Sequence, residues 1–208
     1  LYADVAEFFG RTSSVYLPTF VVGGAAAWSE EYFWQVDDQW KDAKQRRWLP
    51  WRHLIPPTRR RVLRPETDYS FPFIAMGMAD VIRSGGYGAI GSHGQHHGIG
   101  SHWEMWMVAT AMSPMETLEV ATMHGARFLG MHEDIGSIEV GKVADLAVLN
   151  ANPLDDIHNT ADIRFVMKAG TLYQADTLDE VWPVPRAYGP YPWVDEDMLR
   201  NDDRPIGW

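Results

Sequence analysis

Seven of the eight histidines fall between residues 93 and 158, and three of them, His93, His96 and His97, share one loop. Imidazole changes charge between pH 5 and 8 and is also the commonest metal ligand, so this loop is where proton-transfer or metal chemistry could sit. In parallel α/β architectures, functional groups gather on loops beyond the C-terminal ends of strands. His93 stands just past the apolar run 87–91, which is that position. It is the candidate proton acceptor and metal ligand. Adjacent residues rarely point the same way, so at most one of His96 and His97 joins it, with His97 the second candidate ligand. A loop histidine bonded to backbone is the ordinary reading of either.

Glu104 raises a different question. It lies in the nearly all-apolar run 103–112, where an unpaired buried carboxylate is costly. A His or Arg partner is expected, which makes Glu104 either half of a structural ion pair or an orienting group. Ser92 beside His93 invites a Ser/His hydrolase reading, but sequence neighbours seldom adopt nucleophile–base geometry, and no Gly-x-Ser-x-Gly elbow surrounds it. Phosphate loops, dinucleotide fingerprints and paired catalytic carboxylates are absent.

The elements that must position these residues follow from periodicity and punctuation. A helix is expected over 2–9, a buried strand over 15–22 interrupted by Pro18, and then a long excursion over 23–69 with a helix around 30–46. Loops of that length are usually functional or interfacial. A helix begins near Ser70 and Pro72, presenting Phe73, Met76, Ala79 and Ile82 on one face, and stops at Gly85-Gly86. After the strand 87–91 and the histidine loop, a buried helix spans 103–112. Ser113-Pro114-Met115-Glu116 has the spacing of a capping box. The helix it opens, lined by Leu118, Thr122, Gly125 and Leu129, ends at Gly130. Alternation of helix and strand to this point implies a parallel sheet. Beyond it the texture is β: a strand and turn at 136–142, strands at 143–149 and 164–168, a turn at Ala169-Gly170, and 171–173. Residues 181–208 mix Pro and aromatics without period, as an arm laid over a surface does.

Composition bounds the function classes. A net charge of −10 supplies no basic field for nucleic acid or an anionic membrane. The basic cluster Arg59-Arg60-Arg61 reads as solvated surface. No apolar run is long enough to span a bilayer. The lack of Cys excludes disulfides and thiolate chemistry and leaves the compartment undecided. Ten Trp, eight Tyr and eight Phe suit a core or a subunit interface. A chain that opens inside a helix is expected to be a fragment or subunit.

The run "ETLEVATMHGARFLG" from Glu116, followed by "DIGSIEVGKVADLAVLNANP" from Asp134 and "VMKAGTLY" from Val166, resembles the end of amidohydrolase superfamily enzymes. The loop "GSHGQHHGIGSHWEMW" looks most like the imidazolonepropionase- and prolidase-related branch. The resemblance implies an α/β chain that is the C-terminal portion of a (β/α)8 TIM-like barrel plus strands of a small β-sandwich, incomplete as a single chain. Residues 1–133 would be the last βα units with the insertion at 23–69, residues 134–180 the sandwich strands, and 15–22 and 87–91 the seventh and eighth barrel strands. It also implies hydrolysis of an amide, peptide or ester bond in a small molecule, using a divalent metal, Zn above all. Most of that metal's ligands would lie outside this chain, on a companion N-terminal chain or a second copy. Tyr16, Gln95, His102 and Glu104 would join His93 around the pocket. The family's aspartate on strand eight is replaced here by His93, which removes a negative charge. The contrasting readings are a metal-independent Ser/His esterase site formed by oligomerisation and a non-catalytic structural remnant. Some relatives carry a periplasmic propeller, so a periplasmic or secreted location is implied by resemblance alone.

Overall fold

A computed structural model describes residues 1–12, 14–24, 27–59, 62–191 and 194. The first half sets two short strands among helices: α1 (Ala3–Gly10), β1 (Val15–Tyr16), α2 (Glu30–Val36), α3 (Ala43–Trp48), α4 (Trp51–Arg59), α5 (Phe71–Arg83), β2 (Tyr87–Gly88) and α6 (Ile99–Val108). Strands β1 and β2 pair in parallel, Val15 against Tyr87 and Tyr16 against Gly88. One further bond, Ala89 N–H to the Tyr16 carbonyl at 3.0 Å, extends the ladder before it stops. Both strands are shorter than the runs 15–22 and 87–91 predict. Pro18 has no N–H to give, and Thr19 turns left-handed at φ 52°, so Phe20–Val22 forms a 3-10 turn instead of strand.

The excursion 23–69 is not one helix over 30–46. It breaks at Asp37-Asp38, passes through a 3-10 turn at Gln39–Lys41, and restarts at α3. There Asp42 caps the helix by accepting from Gln45 N–H. The excursion folds onto α6. Phe33, Trp34, Leu54, Tyr69 and Phe71 are buried with Trp103, Met107 and Val108 in one core that also takes in Phe20, Val21, Met78 and Val120. Much of the aromatic load therefore fills this core. The basic cluster at 59–61 falls largely outside the described residues.

Helix α5 begins and ends as expected, yet its buried side is Phe71, Ala75, Met78, Ala79 and Val81. Phe73 and Met76 are 71% and 56% exposed. Helix α6 starts earlier than predicted, because the histidine loop closes onto it through Gly100 N–H to the His96 carbonyl at 2.9 Å. His102 and Glu104 therefore both ride on one helix.

The capping box at Ser113 is present. Ser113 Oγ accepts from Glu116 N–H, and the Glu116 carboxylate accepts from Ser113 N–H at 2.8 Å. It opens α7 (Pro114–Glu119), which runs through a π turn at Val120–His124 into α8 (Gly125–Phe128). The π turn shifts the register, so Thr117, Val120 and Ala126 are buried and Leu129 is exposed. Gly130, at φ 70°, ends the run.

The segment 136–142 is turn and bend, not strand; Gly136 and Gly141 hold positive φ there. A four-stranded antiparallel meander follows: β3 (Leu146–Leu149), β4 (Ile163–Lys168), β5 (Thr171–Gln174) and β6 (Glu180–Trp182). Residues 180–186 thus extend the sheet instead of beginning a loose arm. Glu180 and Arg186 exchange backbone hydrogen bonds at 2.9 Å and form an ion pair at 2.9 Å. Among the described residues no helix is long and apolar enough to cross a membrane.

Candidate active site around the histidine loop

The loop between β2 and α6 is built from tight local turns. The Ser92 carbonyl accepts from Gln95 N–H at 2.8 Å. His93 and His96 are left-handed at φ 55° and 45°, alternating with Gly94 and Gly98 at 72° and 88°. Left-handed backbone is uncommon outside glycine and persists where the surroundings impose it. Gly100 is imposed sterically, since a Cβ there would lie 2.4 Å from the Gln95 carbonyl oxygen.

His93 is exposed in the loop after β2, farther from the strand than the predicted run 87–91 implies because β2 ends at Gly88. His96 turns the other way, into the core. Its ring stacks on Trp103 (4.9 Å, 4°) and meets Trp34 edge-on at 4.5 Å. Burial, with lesser help from His97 and His53, pushes its pKa down to about 4, so the ring is neutral near pH 7. His97 is exposed.

Two clefts flank His97. One, of about 360 Å³, is lined by Glu30, Trp34, His53, Gln95, His96 and His97. The other, of about 220 Å³, includes Lys44, His97, His102 and Val166. Burial and then Lys44 hold the His102 pKa down to about 4, and its Nδ1 is buried without a partner. Burial also raises the carboxyl pKa of Glu30, with repulsion from Glu31 second. Tyr16 closes β1, half-buried, its ring edge-on to Phe9 at 5.8 Å and its hydroxyl pKa raised by burial. His97 lines both clefts, Gln95 only the first and His102 only the second, whereas His93 and Tyr16 line neither. Residue type and spacing alone do not single out Glu30 or His53. They come from the excursion, where no periodic or motif signal marks them.

The partner expected for Glu104 is not a side chain. Its carboxylate is fully buried, and Oε1 accepts from Val21 N–H at 2.7 Å. The backbone N–H groups of Phe20 and Gly91 also face it and lower its pKa, yet Oε2 is buried with no partner of full hydrogen-bond geometry. Burial outweighs those amides and raises the pKa to about 7. No hydrogen bond joins the Ser92 hydroxyl to a histidine among the described residues.

Among the described residues no three His, Asp or Glu side chains are grouped to hold a metal ion. Protein metal sites ordinarily use three or four such ligands. The described residues therefore do not fit a metal by themselves, and His93 with His97 is not a complete site.

Residues 74–173, from α5 through β5, match the amidohydrolase family. Over this stretch, less than half of its length, the chain is similar to that family. Among curated relatives, it is 39% identical over 70 residues to a 5'-deoxyadenosine deaminase of Methanobrevibacter smithii, covering 32% of this chain and 16% of that one. It is 30% identical over 90 residues to an S-triazine hydrolase of Gordonia rubripertincta, covering 38% and 19%. A prolidase solved with N-methylphosphonate-L-proline superposes with a TM-score of 0.53 at 22% identity. A Xaa-Pro dipeptidase with bound methionine gives 0.53 at 24%. Each superposition covers 84% of this chain and 38% of the other, and shows that the α/β fold is shared. The chain spans under a fifth of the length of those curated relatives.

Proposed function

We propose that the protein is part of an amidohydrolase-type hydrolase that cleaves an amide, peptide or ester C–N or C–O bond, with His93 as its proton-transfer group. The observation that carries this reading is the placement of His93. It is exposed in the loop that follows β2, a strand paired in parallel with β1, inside the segment that matches the family. An imidazole there takes a proton from water as the water adds to the carbonyl carbon and returns it to the leaving nitrogen or oxygen. Gln95, two residues on, donates or accepts hydrogen bonds to hold the substrate, and Tyr16 at the end of β1 supplies a hydroxyl. The divalent metal implied by the resemblance, Zn above all, would take its ligands from outside these 208 residues, and no step is assigned to it.

On this reading β1 and β2 are the seventh and eighth strands of a (β/α)8 barrel, and the other strands come from a companion chain or a second copy. A barrel of this kind takes about 250 residues. A companion would also cover exposed apolar side chains such as Phe8, Phe73 and Leu129, which are 63%, 71% and 62% exposed. Native mass and metal content, measured together without chelators, test this part of the reading. A complex with roughly stoichiometric metal is expected; a metal-free monomer contradicts it.

A further inference from the structure

Tyr87, the first residue of β2, is flanked by two side chains from the π turn and α8. The His124 ring meets it edge-on at 5.3 Å, and the Arg127 guanidinium lies over it, 4.7 Å from the ring centroid. Residues three apart share one helix face, which brings both to the same tyrosine. Opposite them runs the loop 132–142. It approaches the helix closely at Gly136, where a Cβ would fall 2.6 Å from that of Ala126. Lys142 braces the loop from within. It donates to the His132 carbonyl at 2.7 Å and to Ser137 Oγ at 2.6 Å, and it pairs with Glu139 at 3.2 Å. Between helix and loop lies a cleft of about 270 Å³, which Met123 and Ile135 also line.

The charges around this cleft do not cancel. Lys142 is matched by Glu139, whereas Arg127 has no hydrogen bond or ion pair among the described residues. With 28 Asp and Glu against 18 Lys and Arg, the chain has carboxylates in excess, and Arg11, Arg64 and Arg186 each reach one. Arg127 instead rests on an aromatic ring. Stacking holds the guanidinium plane and leaves its edge, a rigid fork of N–H donors, to take a carboxylate or phosphate. His124 lines the same cleft and keeps its Nδ1 buried without a partner. An anion in the cleft would favour the imidazolium, whose Nδ1–H would then have an acceptor. We propose that this cleft binds a small oxyanion, a carboxylate or phosphate group seated on the free edge of Arg127, with the apolar body of the ligand against Met123 and Ile135. The cleft lies at the first residue of β2, and His93 does not line it, so the site goes beyond the proposed hydrolase and does not depend on it.

Isothermal titration of the intact protein with inorganic phosphate and, separately, with butyrate at constant ionic strength tests it. Saturable binding of at least one probe, at one site per chain, is expected, and the probe that binds assigns the headgroup. Arg127→Gln should weaken that binding by about ten- to a hundred-fold, the scale of a lost charge-assisted pair. Arg127→Lys, which keeps the charge but not the fork, should lose most of the same affinity. Arg11→Gln removes an equal charge from an exposed arginine paired with Glu7 and should leave binding unchanged. Amide NMR on the same samples should show Tyr87, His124 and Ser137 shifting as the probe binds. Failure of both probes to bind saturably overturns the proposal, as does an affinity that Arg127→Gln leaves intact. Binding retained in His93→Ala is the expected result and keeps this site apart from the proposed hydrolysis.

Discussion

Replacing Trp103 with Ala should separate the histidine loop from the core, and the size of the effect follows from what the indole touches. Trp103 is fully buried. Its ring lies parallel to Phe33 at 4.8 Å (7°) and to His96 at 4.9 Å (4°), and Trp34 meets it edge-on at 6.1 Å. Truncating a buried aromatic to Ala costs about 3–5 kcal/mol. Each ring pair adds about 0.5–1.5 kcal/mol beyond area burial, which places this site at the upper end, near 5 kcal/mol. Domains of this size have about 5–15 kcal/mol in total, so the variant should be folded but close to its limit. Urea unfolding followed by circular dichroism gives the difference directly. Trp28→Ala is the control, because Trp28 is 52% exposed and its loss should change stability by under about 0.5 kcal/mol. Ring-proton NMR on His96 supplies an independent readout. Its pKa should climb from about 4 toward the ordinary 6.5 once the ring is no longer buried against Trp103. A Trp103→Ala cost no larger than that of Trp28→Ala, or a His96 pKa that stays near 4, would refute the stacking argument.

Stability should also depend on pH in two opposing ways. His96 and His102 have folded pKa values near 4, below their unfolded value of 6.5, so their contribution is complete above pH 6.5 and is lost as pH falls toward 4. Glu104 is raised to about 7 from 4.5, so its contribution is complete below pH 4.5 and is lost as pH rises through 7. Thermal melts across pH 4 to 8 should show Glu104→Gln flattening the alkaline side alone; an unchanged alkaline slope would contradict the assignment. Gly100→Ala places a Cβ 2.4 Å from the Gln95 carbonyl oxygen, where backbone must give. It should cost about 1–3 kcal/mol by analogy with overpacking, whereas Gly125→Ala, whose nearest neighbour would be 3.9 Å away, should be tolerated in the same melt.

The parts of the fold legible in the sequence were those set by local chemistry. The Ser113–Glu116 capping box, the Gly130 stop, the Pro72 helix start and the turn at Ala169-Gly170 need only neighbouring residues. Strand lengths were over-read because Pro18 and left-handed Thr19 redirect the chain after Tyr16, and an apolar run reads the same in a 3-10 turn as in a strand. The buried sides of α5 and α7–α8 were misplaced for a similar reason: periodicity reports that a helix has an apolar side, not which of two apolar stripes meets the core, and a π turn resets the register. At the site, the position of His93 followed from the strand-end rule. The inward turn of His96 depends on Trp34 and Trp103, which are far apart in sequence. Glu104 was correctly singled out as needing a partner. That partner is backbone, which residue types do not reveal.

Hydrolysis by the intact protein, compared between wild type and His93→Ala on a panel of amide, dipeptide and ester substrates, tests the central claim most directly. Loss of a positioned proton-transfer group should lower kcat by about 10²–10⁴-fold with the fold and melting temperature intact. Undiminished hydrolysis in His93→Ala would contradict the account.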